Sequence, residues 1–431
     1  MPSMALLADR LIDGTGRDPV ENAVVVWEDG RISAAGARSE VRIPNEAVTV
    51  EADDLTVLPG LMDMHVHLAM QTGMNLTRML MSPRSFTLLH AIPHSRATLQ
   101  AGFTTVRDAG GTPVGVRMAV EKGFFPGPRM RLSVAILSQT GGHADPMMPC
   151  ACELYIDSTL DIPHSRVDGV DEMRRRVREV LRAGADNIKL CTSGGVLSPG
   201  DLPDTPQFTV EEIAAAVHEA GVHHKHVLAH AMSAQGIKNA LLGGVRSIEH
   251  GCLLDEEGIA MMKEKGAYLV PTLVAPRDVA AIAKRRPGAI PDEMVEKAER
   301  VGRVHMERFR AAVEAGVQVA LGTDSGVGEH GGNGRELALM VEGGMSPMQA
   351  LLSATSVPAR LLGLEDEIGT LQPGRQADIV AVQGDPLQDI ALMGDVERVR
   401  LVVKGGRVVR QTGGVPQLLT PAAFGASTWT D

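Results

Sequence analysis

Apolar and polar positions divide the chain into three textures. Over residues 1–58 the apolar positions come in short β-branched runs. Ala23-Val24-Val25-Val26-Trp27 reads as a strand, Asp29-Gly30 as a hairpin turn and 31–36 as the returning strand. A further strand at 55–58 leads into Pro59-Gly60. From 59 to 362 the rhythm becomes helix, glycine, strand. Thr209 and Glu212 form a capping box, the helix runs to Ala220 with Gly221 as its C-terminal cap, and 227–230 is the next strand. The same grammar recurs at 171–183, Gly184 and 187–190; at 233–242, Gly243 and 245–250; and at 255–265, Gly266 and 267–272. A longer helix at 292–315 leads through Gly316 to 317–324.

With 61–67, 103–108 and 130–137 these make eight strands. Strands alternating with helices imply parallel βα units, and eight of them predict an α/β fold of the (β/α)8 TIM-barrel type. An open doubly wound sheet is the alternative. No nucleotide-binding fingerprint follows a strand, since Thr192-Ser193-Gly194-Gly195 fits neither glycine-rich pattern. After 362, short strands at 368–371, 377–382 and 401–404 return, with tight turns at 372–375 and Gly405-Gly406. The expected organisation is a β-sandwich built from both chain ends, 1–58 and 363–431, around a barrel at 59–362. The tail at 420–431 has little apolar pattern and reads as loose.

With 431 residues, 44% of them hydrophobic and 22% charged, the chain has ample material for a large core. A formal net charge of -11 argues against a nucleic-acid partner, whose phosphates demand basic patches. Arg174-Arg175-Arg176 lies among Asp171, Glu172 and Glu179 at helical spacing and reads as a solvated face; Lys284-Arg285-Arg286-Pro287 reads as an exposed helix end. Four cysteines make no disulfide framework, and Cys150-x-Cys152 lacks the second pair of a zinc site. No secretory signal opens the sequence, and no apolar run reaches the roughly 18 residues of a membrane span. A cytoplasmic protein without a membrane partner is the expectation.

Chemistry enters at the strand ends. His65 and His67 end the first strand of the 59–362 region, and residues two apart point to one side. Lys189 lies on the fourth strand, His230 ends the fifth, His250 the sixth and Asp324 the eighth. Each has an ordinary reading alone: a hydrogen-bonded core histidine, a turn-capping aspartate, a lysine reaching for the surface. Together they gather at the C-terminal strand ends, where barrel active sites assemble, and read as a metal site.

These residues lie within Gly60-Leu61-Met62-Asp63-Met64-His65-Val66-His67, Ile188-Lys189, His230, Glu249-His250-Gly251 and Gly322-Thr323-Asp324. In those motifs the chain resembles the amidohydrolase superfamily over nearly its whole length. The resemblance implies two divalent metal ions, zinc in most members, with His65, His67 and Asp324 on one and His230 and His250 on the other. It implies that Lys189 bridges them as an N-carboxylated lysine, a metal-bridging hydroxide attacks, and Asp324 passes the proton to the leaving group. Deaminases of the superfamily lack that lysine, so hydrolysis of an amide-type C–N bond is expected.

Ala101 through Asp108, Thr140-Gly141-Gly142-His143, 189–195 and His330-Gly331-Gly332-Asn333 are similar to prolidase-like dipeptidases. This implies a dipeptide or N-acyl amino acid as small-molecule substrate, and a homo-oligomer. A carbamate, urea or other xenobiotic amide hydrolase is the alternative, and a non-catalytic, metal-stabilised binding protein is the alternative of another class. One departure matters: the group often carries Tyr or His two residues beyond the fifth-strand ligand, where this chain has Met232, whose thioether donates no hydrogen bond. His143 is the expected substrate contact, with His330 and Asn333 behind it. His218, His223, His224 and His226 precede the fifth strand and read as surface residues.

Overall fold

The structure, a computed structural model, describes residues 3–51, 54–71, 81–148, 150, 152–153 and 161–413; the tail at 420–431 lies outside them. The two chain ends meet in one mixed sheet of eight strands. Its order is Arg407–Gln411, Val399–Lys404, Ile379–Gln383, Leu55–Pro59, Met4–Leu11, Val20–Glu28 and Arg31–Ala37, with Val48–Glu51 alongside Met4–Leu11. Asp29 and Gly30 make the expected hairpin with φ of 48° and 80°, the left-handed pair that matches strand twist. Leu6, Val25, Trp27, Val57, Ile379 and Leu401 belong to a core of this sheet's own.

Between the ends, parallel strands alternate with helices in two sheets. One holds Leu61–Val66, Phe103–Asp108 and Arg129–Leu132; the other holds Ile136–Leu137, Asn187–Cys191, His226–Ala231, Ser247–His250, Tyr268–Val270 and Gln318–Val319. The strand expected over 130–137 is therefore two pieces, one in each sheet. Between them Val134 takes a φ of 62°, outside strand geometry. The last strand, expected over 317–324, forms a ladder only at Gln318–Val319. Beyond it the backbone bends toward Asp324, whose φ is 58°, and single hydrogen bonds replace the ladder. Met64 N donates to Leu321 O at 2.8 Å, and Asp324 N donates to His65 O at 2.7 Å.

The helix signals hold, with two shifts. Thr209 and Glu212 form a full capping box on the helix Val210–Val222. Gly221 does not cap this helix; it lies inside it, and His224 takes the left-handed turn with a φ of 55°. Similarly Gly244, not Gly243, caps Ala234–Gly243. Gly243 is instead a close-packing position, where a Cβ would stand 2.3 Å from the Ile213 side chain. Arg174 and Arg175 are exposed on Val170–Arg182, and Lys284 to Arg286 are exposed where Val274–Arg285 ends.

Asp378 fastens the terminal sheet to the base of the first parallel strands. Its backbone carbonyl accepts from Gly60 N at 2.8 Å, and its carboxylate accepts from Arg129 Nη1 at 2.7 Å and from Gly405 N at 2.7 Å. Gly60 is needed there, because a Cβ would lie 2.1 Å from Thr104 Oγ1. Removing this carboxylate leaves the part-buried Gly405 N–H without its acceptor and takes the charged partner from a partly buried guanidinium that keeps Thr105 and Gln376. Asp378→Ala should therefore cost about 2–3 kcal/mol. The check is the urea midpoint of the first unfolding transition, which should fall; an unchanged midpoint would show that the contact carries no stability.

Candidate metal centre and active site

Six side chains singled out in the sequence come together. Nε2 of His65 lies 3.6 Å, and Nε2 of His67 3.3 Å, from Asp324 Oδ1, and Lys189 Nζ lies 3.5 Å from His65 Nε2. The rings continue in a chain, with centroids 4.9 Å apart for His65 and His250 and 4.6 Å for His230 and His250. Candidate ligand atoms of His65, His67 and Asp324 lie within 4.8 Å of one another. His250 and Asp324 occupy left-handed backbone with φ of 71° and 58°. Such strain in non-glycine residues gathers at functional sites, and here it ends the strands and turns the side chains into the cleft.

The protein directs a proton on three of the four imidazoles away from the centre. Nδ1 of His65 donates to Glu249 Oε2 at 2.8 Å and Nδ1 of His67 to Gly110 O at 2.8 Å, while Nδ1 of His250 is hydrogen-bonded to Thr272 Oγ1 at 2.7 Å, a hydroxyl that can take either role. His230 is reversed, with Nε2 donating to Gly194 O at 3.1 Å. The other nitrogen of each ring, Nε2 in His65, His67 and His250 and Nδ1 in His230, is the one left to give a lone pair to a cation. Tautomer fixation of this kind is what a cation needs.

Electrostatics agree. Burial pushes His65, His230 and His250 well below the usual imidazole range, and burial lowers the Lys189 ammonium. Burial pushes Asp324 the other way, but the hydrogen bond from His67 and the neighbouring His65 and Lys189 overcome it and hold the carboxyl below its normal value. His67 is raised: its own burial opposes this, and the bond to Asp324 prevails, so the Nε2 proton of that bond is the one a cation would displace.

Several supporting residues carry no ligand-like signal in the sequence. Glu249, fully buried, accepts from His65 and from Arg107 Nη2 at 2.8 Å, while Ser247 Oγ donates to it at 2.6 Å. Arg107 Nε donates in turn to Met64 O at 2.7 Å. Asp63 binds the first strand to the last: it accepts from His65 N at 3.0 Å, Thr323 Oγ1 at 2.6 Å and Asn333 Nδ2 at 2.7 Å. Its spacing was the available signal, because Asp63, His65 and His67 alternate on one strand face. His305, in the middle of the helix Asp292–Glu314, donates through Nε2 to His250 O at 2.9 Å; nothing in its spacing separates it from an ordinary helical residue.

A cavity opens over the centre. His143 lines it and stacks on His230 with centroids 4.2 Å apart. Met232 faces it too, among Val196, Val279, Val301 and Val327, so its walls away from the ligand cluster are largely apolar. The structure does not bring His330 to this cavity. Its ring is drawn against His94, centroids 4.3 Å apart, and its Nδ1 lies 3.3 Å from Thr98 Oγ1. Asn333 is committed to Asp63. His218, His223, His224 and His226 are exposed. Cys150 and Cys152 are exposed free thiols. Among the described residues, no helix is long and apolar enough to cross a membrane.

Comparison with known proteins agrees with this constellation. The amidohydrolase family profile matches residues 56–409. Ochratoxinase of Aspergillus niger is 33% identical over 423 residues, spanning 95% of this chain and 87% of that protein. Among solved structures, a prolidase in complex with N-methylphosphonate-L-proline superposes with a TM-score of 0.88 at 35% identity, covering 95% of this chain and all of that one. A Xaa-Pro dipeptidase with methionine bound in its active site gives a TM-score of 0.85 at 35% identity, again over 95% of this chain. The chain belongs to the amidohydrolase family, and it is a metal-dependent hydrolase of amide-type C–N bonds.

Proposed function

We propose that the centre holds two divalent ions, zinc in the working enzyme, and that the substrate is a dipeptide or N-acyl amino acid with an apolar side chain. The observation that carries this is the outward hydrogen bond on each of four imidazoles, with a ring N–H donated outward by His65, His67 and His230, which turns the four remaining ring nitrogens toward Lys189 and Asp324. His65, His67 and Asp324 would hold one ion, and His230 and His250 the other. Lys189 would join them after carboxylation: a buried amine of lowered pKa has the free lone pair that attacks carbon dioxide, losing a proton and gaining two ligand oxygens. Imidazole nitrogens with carboxylate oxygens are a zinc-type donor set, and bound zinc acidifies water and polarises a carbonyl.

The chain's own residues do the rest. Asp324, held ionised, accepts the proton of the attacking water and returns it to the leaving nitrogen. Glu249 with Arg107, and Gly110 O, keep His65 and His67 from turning. His143 contacts the substrate, and the wall of Met232, Val196 and Val301 receives its apolar part. That wall also favours the second reading, a carbamate or other xenobiotic amide as substrate, because Met232 offers no hydrogen bond to a polar one. We read the two parallel sheets as one (β/α)8 barrel over 59–362, and the eight-stranded sheet as a β-sandwich of 1–58 with 363–431 curled over its own core. A cytoplasmic homo-oligomer completes the proposal.

Metal analysis of the purified enzyme should give two ions per chain, and chelation should abolish turnover until zinc is restored. Lys189→Ala should lower the content to one ion or fewer; two retained ions would sink the bridging role. Asp324→Asn should lower kcat by at least about a hundredfold, the scale of losing positioned acid–base catalysis. Unchanged turnover would refute that role. A panel of Xaa-Pro and other dipeptides, N-acyl amino acids and aryl carbamates separates the readings. Turnover of the first groups supports the proposal, turnover of carbamates alone moves the enzyme to the second reading, and tight metal binding without any turnover points to a binding protein.

A further inference from the structure

A buried polar chain runs from the long helix Asp292–Glu314 to His143, outside the ligand cluster. Lys297, almost wholly buried on that helix, donates through Nζ to Ser198 O at 2.8 Å and to Asp201 O at 2.7 Å. Its ammonium also lies 3.8 Å from Asp201 Oδ1 and 3.2 Å from Glu293 Oε1. An ammonium bound to two carbonyls of one short turn fixes that turn. The turn in question carries Ser198 and Asp201, on the loop that follows the Lys189 strand.

Asp201 then orders what lies beyond it. Its Oδ2 accepts from Gly195 N at 3.0 Å, and its Oδ1 accepts from Ser198 Oγ. Because the hydroxyl proton goes to the carboxylate, Ser198 Oγ is left as an acceptor toward His143 Nδ1, 2.7 Å away. That fixes the proton of a neutral His143 on Nδ1 and leaves Nε2 with its lone pair. The ring has no freedom to turn over. One face stacks on His230 at 19° between planes, and the other lies on Gly195, where a Cβ would stand 2.2 Å from the ring. The His143 backbone N–H is tied as well, donating to Gln207 Oε1 at 3.1 Å.

We infer that Lys297, Asp201 and Ser198 are positioning residues that hold His143 in one tautomer and one orientation, presenting Nε2 to the substrate in the cavity. The inference rests on the reading of His143 as a substrate contact. It assigns a purpose to a lysine, an aspartate and a serine that neither hold a metal ion nor touch the reacting atoms. It also explains why glycine stands at 195, where any side chain would displace the imidazole.

The test is a double-mutant cycle on the zinc-loaded enzyme, with the best substrate of the dipeptide and N-acyl amino acid panel. His143→Ala should lower kcat/KM. Ser198→Ala should lower it roughly tenfold, the scale seen when a ligand's supporting hydrogen bond is lost, while Ser198→Thr, which keeps the hydroxyl, should restore most of it. In the His143→Ala background, Ser198→Ala should cost nothing further. Asp201→Ala should follow the same pattern, with Tm and metal content recorded for every variant. If Ser198→Ala costs the same in both backgrounds, the residues act on the fold and the positioning role is overturned while the His143 contact stands. If His143→Ala leaves kcat/KM unchanged, the contact itself is wrong, and the positioning role falls with it.

Discussion

Glu249 has no exposed surface, and its carboxylate lies between the Nδ1–H of His65 and the guanidinium of Arg107. Much of the site depends on this contact. A buried carboxylate is tolerable only when paired, and Arg107 supplies the pair; a buried guanidinium needs the same, and Glu249 supplies it. Between them they fix the His65 ring and, through Arg107 Nε and Met64 O, the strand that carries it. The ring cannot take its other tautomer without losing a charge-assisted hydrogen bond. Gly110 O does for His67 what Glu249 does for His65, and Thr272 holds the His250 ring in place. The cavity-facing surface of the candidate centre is therefore decided largely by groups that do not face the cavity.

The same logic joins the ends of the parallel array. Strand pairing is short where Gln318–Val319 gives way to the bend at Asp324, yet that bend must keep a carboxylate within reach of two imidazoles. Asp63 makes up the deficit by accepting from backbone or side chain of His65, Thr323 and Asn333 at once. The bend carries the geometry of the site, and the buried carboxylate behind it carries the stability the ladder gave up.

How much of this could be read from the sequence follows from what each signal encodes. Period-two spacing in strands places His65 and His67 on one face, and the helix–glycine–strand rhythm places Lys189 on one strand and His230 and His250 near the ends of the next two; both patterns are local. The Thr209 capping box is local too. Gly243 misled because a glycine near a helix end can serve close packing as readily as a left-handed turn, and Gly221 because the helix runs one residue past it on open surface; the left-handed turns fall at His224 and Gly244. His330 misled because its loop follows the last strand, yet stacking on His94 turns it away from the cavity. Arg107 and Lys297 were hidden for the reason that makes them matter: their partners are remote in sequence, and no spacing announces a contact made across the fold.

The active-site cavity has walls of two kinds, and their construction differs. The ligand wall rests on strand ends and on carboxylates buried beneath them, so a change there disturbs several hydrogen bonds at once. The opposite wall is made by Val196, Met232, Val279 and Val301, from a loop, a strand exit and two helices, and these belong to a separate apolar cluster with Ile282, Met294 and Ala298. Apolar packing tolerates volume-conserving exchange far better than a hydrogen-bonded network tolerates loss of a partner. Substrate preference can therefore shift across this wall while the chemistry opposite stays fixed. His143 stands at the seam, stacked on His230 on one side and clamped to the 195–201 loop on the other. As the substrate contact we propose, a residue so placed would tie the orientation of the substrate to the position of the candidate ligand cluster.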